Sequence, residues 1–230
     1  QAMFELHIEQ GPILEAESKM IGVVTGVQGM RWYEVTLNGQ ESHTGATPMK
    51  LRKNALLGAA RMIDAIDRIA QEHAPDAVGT VGLIENKPNS RNVIPGEVFF
   101  TIDLRHPSES VLDEMESKFR NALRDVLDPL KLAYDEQRIW VSPAVKFAPE
   151  LIDCVRHGAE KSGFAMRDMV SGAGHDAAYI ARVAPTTMIF VPCAGGVSHN
   201  EAESTTLEEC AAGAQVLLEA VLEYDRRLEG

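Results

Sequence analysis

The chain has 230 residues, 45% hydrophobic and 24% charged, with a formal net charge of -12; that is a globular composition with room for one large domain or two small ones. The acidic balance argues against non-specific nucleic-acid binding and against docking on an anionic membrane surface. No apolar run approaches membrane-spanning length. Three widely spaced cysteines (Cys154, Cys193, Cys210) form no CxxC pair, so neither a disulfide framework nor a zinc knuckle is indicated and a reducing cytoplasm is the default compartment.

Residues 3–9 alternate Phe4, Leu6 and Ile8 with Glu5, His7 and Glu9, a strand with one buried face that stops at Gly11-Pro12. A short helix is expected over 12–17 with Pro12 at its first position. Residues 20–25 read as a second apolar strand, and Gly26 and Gly29 allow a hinge. No signal peptide precedes the first strand. A core strand that opens so close to Gln1 reads as part of a longer protein.

From residue 31 the pattern becomes regular. A strand over 31–38 ends at the turn Asn38-Gly39. A helix over 50–72 carries Leu56, Ala59, Ile63, Ile66 and Ile69 or Ala70 on one stripe. A strand over 78–85, a loop over 86–95 and a strand over 96–104 follow, the last with Val98, Phe100, Ile102 and Leu104 on one face. A helix from Pro107-Ser108 to about 127 turns Val111, Met115, Phe119, Ala122 and Val126 inward, and a strand over 131–140 closes the set. The order βαββαβ is that of the ferredoxin-like split unit.

After Val141-Ser142-Pro143 the pattern changes. A helix over 149–162 ends at Gly163, and a strand lies near 165–170. The turn Ser171-Gly172-Ala173-Gly174-His175-Asp176 leads into a helix through 182. An apolar strand over 187–191 precedes a helix from Thr205 or Thr206 to about 227, opened by the capping box Thr206–Glu209. Alternating strands and helices indicate an α/β fold. Residues 1–26 and 141–230 are expected to form one domain, interrupted by a ferredoxin-like α+β domain over 27–140.

Several positions are suited to chemistry. His199 lies beyond a strand and a Gly-Gly turn, and a neutral imidazole so placed binds a divalent metal well. His7 sits at the C-terminal end of its strand, where α/β sheets place their ligands. His175 enters a helix N-terminus, and His43 lies in the loop Glu41-Ser42-His43-Thr44-Gly45. Arg105 shares a strand face with Asp103; its fork suits a substrate carboxylate, and an ion pair with Asp103 is the other reading. His73 and His157 sit on helical stretches without carboxylate neighbours and are set aside, and His106 is read as structural. Cys193 near His199 permits a thiol nucleophile, but no third group orients it. No P-loop and no Gly-x-Ser-x-Gly elbow occurs.

Six segments in order carry a resemblance. His7-Ile8-Glu9-Gln10-Gly11-Pro12, Ser42 to Met49, Arg91 to Pro95, Asp103-Leu104-Arg105, Gly172 to Asp176 and Ser198-His199-Asn200-Glu201 together resemble the hydantoinase/carbamoylase family of amidohydrolases. That family includes N-carbamoyl-L-amino acid amidohydrolases, bacterial-type beta-ureidopropionases and allantoate amidohydrolases, within the dinuclear-metal aminoacylase/carboxypeptidase group.

The resemblance implies a mixed-sheet, metallopeptidase-like catalytic domain with two divalent metal ions (Mn, Zn, Co or Ni) and an inserted ferredoxin-like lid through which two copies form a homodimer. It implies His7 as ligand of one ion and His199 of the other, with Asn200 and Glu201 supporting His199. Gln10 would contact the scissile amide. His43 would stabilise the developing oxyanion in a partner copy, Asn92 and Arg105 would hold the substrate carboxylate, and Gly174 and His175 would line the substrate pocket. The substrate would be a small N-carbamoyl or ureido acid; no nucleic acid and no membrane is involved.

The family carries a His-x-Asp ligand pair and a Glu-Glu pair, one Glu being the general base, ahead of these segments. Residues 1–230 hold no equivalent. With one protein ligand per ion, where hydrolytic zinc sites use three, the chain by itself is expected to bind metal weakly and to hydrolyse nothing. An aminoacylase or dipeptidase of the same group and a non-catalytic dimerisation fragment are the alternatives.

Overall fold

The computed structural model describes residues 1–229 and contains both strands and helices. From the N-terminus they are β1 (Met3–Ile8), α1 (Ile13–Ala16), β2 (Ile21–Val27), β3 (Gly29–Asn38), β4 (Ser42–His43), α2 (Ala55–Glu72), β5 (Val78–Thr80), β6 (Ile84–Lys87), β7 (Val93–Ile94) and β8 (Glu97–His106). There follow α3 (Glu109–Leu127), β9 (Ala133–Ser142), β10 (Val145–Lys146), α4 (Pro149–Ser162), β11 (Met166–Ser171), α5 (Asp176–Ile180), β12 (Thr186–Val191) and α6 (Leu207–Glu229). Contacts divide the chain into two units, Gln1–Gln28 with Val145–Gly230, and Gly29–Ala144. β2 runs on to Val27, past the boundary expected at 26, and β9 to Ser142, past the boundary expected at 140.

In the first unit the sheet order is β1-β12-β2-β10, with β11 also on β2. β1 runs parallel to β12, β12 antiparallel to β2, and β2 parallel to β11, so the sheet is mixed. β12 is buried at all six positions, as expected of a strand covered on both faces. Phe190, Ile189 and Met188 form its core with Val23 and Val24 of β2, Ile152 and Val155 of α4, and Val216 and Ala220 of α6. Cutting a side chain such as Phe190 back to alanine costs about 3–5 kcal/mol. α6 reaches the strands because residue 213 is glycine: a Cβ there would stand 2.6 Å from Leu6 Cδ1 and 2.7 Å from Val191 Cγ1.

The helix ends follow local chemistry. α4 stops at Gly163, in the left-handed region at φ 74°. α6 opens on the expected box, Glu209 N–H donating to Thr206 Oγ1 at 3.1 Å and Thr206 N–H to Glu209 Oε2 at 2.7 Å. At α1 the expectation is corrected. Pro12 precedes the first helical residue, and the buried Glu9 carboxylate accepts the N–H groups of Ile13 and Leu14 at 2.8 Å each. Glu9 is therefore a helix cap, not a member of β1's polar face.

The second unit has the order β5-β8-β3-β9, with β6 also on β8. The pairs are antiparallel, and with α2 and α3 the chain order is β3-α2-β5-β6-β8-α3-β9, the expected βαββαβ with one strand more. β8 alternates strictly, Val98, Phe100, Ile102 and Leu104 packing with Tyr33, Val35 and Leu37 against the helices. The strand expected at 78–85 is two strands, β5 and β6, each paired to β8. On α2 the buried side is Ala59, Met62, Ala65, Ile66 and Ile69, while Leu56 and Ile63 are exposed. α3 buries Leu112, Met115, Phe119, Leu123 and Leu127, with Val111, Ala122 and Val126 at the margin. The closing strand runs over 133–142 instead of 131–140. β4 and β7 form a separate ribbon, His43 opposite Val93 and Ser42 opposite Ile94.

Candidate functional site

In the first unit, parallel pairing sets His7 opposite Phe190 and Ile8 opposite Val191, so the chain leaves β1 and β12 at the same edge of the sheet. Gln10 and His199 lie just beyond those strand ends. Both take left-handed backbone, at φ 59° and 55°, which costs a non-glycine residue about 1–3 kcal/mol and is retained where the surroundings fix it. Gln10 Nε2 donates to Ser198 Oγ at 3.0 Å, joining the two segments. His199 is exposed; its N–H donates to Glu203 Oε2 at 3.0 Å, and that bond with one from Ser198 holds the Glu203 carboxyl below its usual range. Glu203 is thus the carboxylate that receives the His199 backbone N–H, and Asn200 Oδ1 accepts from Ala202 N–H at 2.9 Å. Gly196, at φ 64°, passes so near Pro12 that a Cβ would stand 2.7 Å from its nitrogen. Cys193 is buried, and burial pushes its thiol up, which makes it a strand-end thiol and not a nucleophile.

His175 is where the structure most changes the picture. It is buried, its ring edge to face with His7 at a centroid separation of 4.8 Å. Its Nε2 lies 2.7 Å from Ser171 Oγ and its Nδ1 4.0 Å from Glu5 Oε1. Burial, with the charge of His7 adding, pushes it down to about 4, so it is a neutral imidazole at physiological pH. Gly174 beside it is exposed. Glu5, His7 and His175 each bring one donor atom within 4.8 Å of the others. Two imidazoles and a carboxylate form a donor set that suits a borderline divalent ion. The residues present therefore fit the kind of group the resemblance implies.

In the second unit the β4–β7 ribbon brings His43 beside Asn92, whose carbonyl accepts Thr44 N–H at 3.1 Å. His43 is exposed, and its Nδ1 accepts two backbone N–H groups, Gly45 at 3.0 Å and Ala46 at 3.1 Å. An accepting Nδ1 leaves the ring proton on Nε2, which becomes a hydrogen-bond donor. Asn92 Oδ1 accepts from Ser90 Oγ at 2.8 Å. Arg105 Nε lies 2.9 and 3.0 Å from the two Asp103 oxygens, with Nη2 at 2.5 Å; of the two readings of this pair, the ion pair is present.

The family model described as peptidase family M20/M25/M40 matches residues 1–223. The chain belongs to this family. It is 51% identical over 222 residues to an N-carbamoyl-L-amino-acid amidohydrolase of Rhizobium meliloti (96% of this chain, 53% of that protein). It is 38% identical over 217 residues to an allantoate amidohydrolase of Escherichia coli strain K12 (94% and 53%). Among solved structures it is similar to a hydantoinase/carbamoylase family amidase from Burkholderia multivorans, with TM-score 0.95, 54% identity, and 97% of this chain against 54% of that one. The chain spans about half the length of the curated relatives it matches.

In this M20/M25/M40 family chain, four residues of the candidate site lie outside what the sequence reading had singled out. Glu5 and Ser171 flank His175, and Glu203 stands at His199. Arg52 clips the His43 loop, Nε donating to Thr47 O at 3.0 Å and Nη2 to Thr44 O at 2.6 Å. The spacing Glu5-x-His7 is a signal that was available; the others depend on chain approaches that no local pattern announces. Two of the histidines set aside do have carboxylate company, from neighbouring helices: His73 Nε2 is 3.7 Å from Glu114 and His157 Nε2 3.7 Å from Glu223. His106 Nδ1 caps the Ser108 N–H at 2.9 Å, a structural role. No helix among the described residues is long and apolar enough to cross a membrane.

Proposed function

We propose that the intact protein is a metal-dependent amidohydrolase that cleaves the linear C–N amide of N-carbamoyl-L-amino acids or related ureido acids. The observation that carries the reading is the strand-end arrangement of His7 and Gln10 on β1 with Ser198 and His199 beyond β12. The names of the relatives, amidohydrolases of carbamoyl amino acids and of allantoate, supply the substrate class.

In this reading His7 and His199 hold divalent ions (Mn, Zn, Co or Ni), which when bound supply Lewis-acid activation of water and carbonyl. The His7 Nδ1 bond to its neighbour's carbonyl, Ile8 O at 2.8 Å, keeps Nε2 as the ring's electron pair. Gln10 orients the scissile amide. His43 donates from Nε2 to the oxyanion that develops on the carbamoyl oxygen. Arg105 and Asn92 hold the substrate carboxylate, and Gly174 and His175 line the pocket. His43, Asn92 and Arg105 serve a partner copy in a homodimer formed through residues 27–140, and the protein works in the cytoplasm. The general base and further ligands belong to residues outside 1–230, so the 230-residue chain alone is expected to turn over no substrate.

The test is a substrate panel on the intact protein. N-Carbamoyl-L-amino acids or allantoate are hydrolysed, chelation removes the activity, and one of the four metals restores it. Preferential hydrolysis of N-acetyl amino acids or dipeptides would move the assignment to an aminoacylase or dipeptidase.

A further inference from the structure

The turn Ala194-Gly195-Gly196 holds two consecutive left-handed residues, Gly195 at φ 62° and Gly196 at φ 64°, just ahead of Ser198 and His199. Glycine leaves the backbone freer than any other residue, so the direction in which this turn hands on the chain has to be set from outside it. Glu15 of α1 is placed to do so. Its Oε2 accepts the Gly195 N–H at 2.8 Å, a charge-assisted bond of the stronger kind. Gly196 packs on Pro12, and the Cys193 thiol stands between the carbonyls of Gly11, at 3.8 Å, and Val197, at 3.7 Å. α1 spans only Ile13–Ala16, too short to be stable by itself. It is fixed from behind by the Glu9 carboxylate, which takes the N–H groups of Ile13 and Leu14. Glu9 precedes Gln10, and Gln10 donates back to Ser198. The ties close a ring: Glu9 to α1, Glu15 to Gly195, and Ser198 to Gln10.

We propose that Glu15 is a positioning residue that sets the His199 loop against Gln10. It acts through the Gly195 N–H, and so on the two side chains that the function proposed above brings to the scissile amide. For its effect on turnover the inference rests on that reading; for its effect on the loop it does not. Left-handed backbone at Gln10 and at His199 persists only where the surroundings hold it. The Glu15 bond holds the turn that leads into His199, as the Glu9 bonds hold the helix that follows Gln10.

The experiment compares Glu15→Ala, Glu15→Gln and Glu17→Ala, the last at the end of the same helix, where the carboxylate pairs with Arg167. Amide hydrogen exchange is followed in the 230-residue chain, with folding checked by circular dichroism. In Glu15→Ala it quickens at least about 10-fold from Gly195 through His199. In the intact protein the same substitution lowers kcat for an N-carbamoyl-L-amino acid about 10–100-fold with KM little changed. Glu15→Gln, whose amide oxygen still accepts the Gly195 N–H, recovers most of both, and Glu17→Ala alters neither. A folded Glu15→Ala protein with wild-type exchange at 195–199, or with wild-type kcat, overturns the proposal. So does a Glu15→Gln protein no better than Glu15→Ala. If the intact protein hydrolyses no carbamoyl amino acid, the amidohydrolase assignment fails, and the exchange result alone decides whether Glu15 sets the loop.

Discussion

His7 and His175, distant in sequence, stand edge to face with ring centroids 4.8 Å apart. β1 carries the first ring to the sheet edge, and the turn between β11 and α5 carries the second. The Ser171 hydroxyl behind His175 fixes which nitrogen faces Glu5. The same hydroxyl accepts the Ala173 N–H at 3.1 Å, so Ser171→Ala should cost about 1–3 kcal/mol in denaturant unfolding. Unchanged stability would mean that the hydroxyl holds neither the turn nor the ring.

Arg52 reaches across the loop that presents His43, holding the carbonyls of Thr44 and Thr47. Arg52→Ala is expected to lower kcat of the intact protein about 10–100-fold, because a displacement of about 1 Å costs that much in positioned catalysis. Arg52→Lys should recover part of it. In the 230-residue chain, ring nitrogen-15 shifts of His43 should report the Nε2–H tautomer, and Arg52→Ala should blur that preference. An unchanged kcat and tautomer would remove Arg52 from the positioning role.

Asp103 already occupies the fork of Arg105. A substrate carboxylate must share that guanidinium, so Arg105→Ala should raise KM about 10–100-fold, the worth of a charge-assisted hydrogen bond. Lys131→Ala, on an exposed turn, should leave KM as it was. Equal effects of the two substitutions would reject the carboxylate clamp.

Arg31 in the second unit is buried among acids, 2.5 Å from Glu116, 2.7 Å from Asp113 and 3.1 Å from Glu109. Burial alone would raise the Glu116 carboxyl, but the Arg31 bond and the charges of Arg120 and Arg138 outweigh it and hold the group below its usual 4.5. A carboxyl whose folded value is depressed contributes stability above its unfolded value, and that contribution disappears as pH falls through the folded value. Glu116→Gln should cost about 1–3 kcal/mol at neutral pH. In thermal melts the gap to wild type should close as pH drops below 4.5. A gap that persists in acid would place the cost in packing instead of charge.

Much of this fold was legible because its strands announce themselves. The period-two burial of β8 from Val98 to Leu104 and the unbroken apolar β12 both read directly from side-chain type. So did the Thr206–Glu209 cap. The phase of α2 did not: its inner face is built from Ala55, Gly58 and Ala59 around Met62 and Ile66, and small residues carry little hydrophobic signal, so Leu56 and Ile63 looked inward when they face out. The site was half legible. His7, Gln10 and His199 could be placed at strand ends from order alone, but the approach of Glu5 to His175 depends on β1, β11 and β12 sharing one sheet. Glu203 at the His199 backbone N–H needed the turn at 200–203 to fold back.

The most direct test pairs turnover with metal content in the intact protein and its His7→Ala variant. Hydrolysis of an N-carbamoyl-L-amino acid should fall at least about 1000-fold in the variant, about 4 kcal/mol of transition-state stabilisation, together with loss of bound divalent metal. A folded His7→Ala protein that keeps both its metal and its turnover would contradict the account.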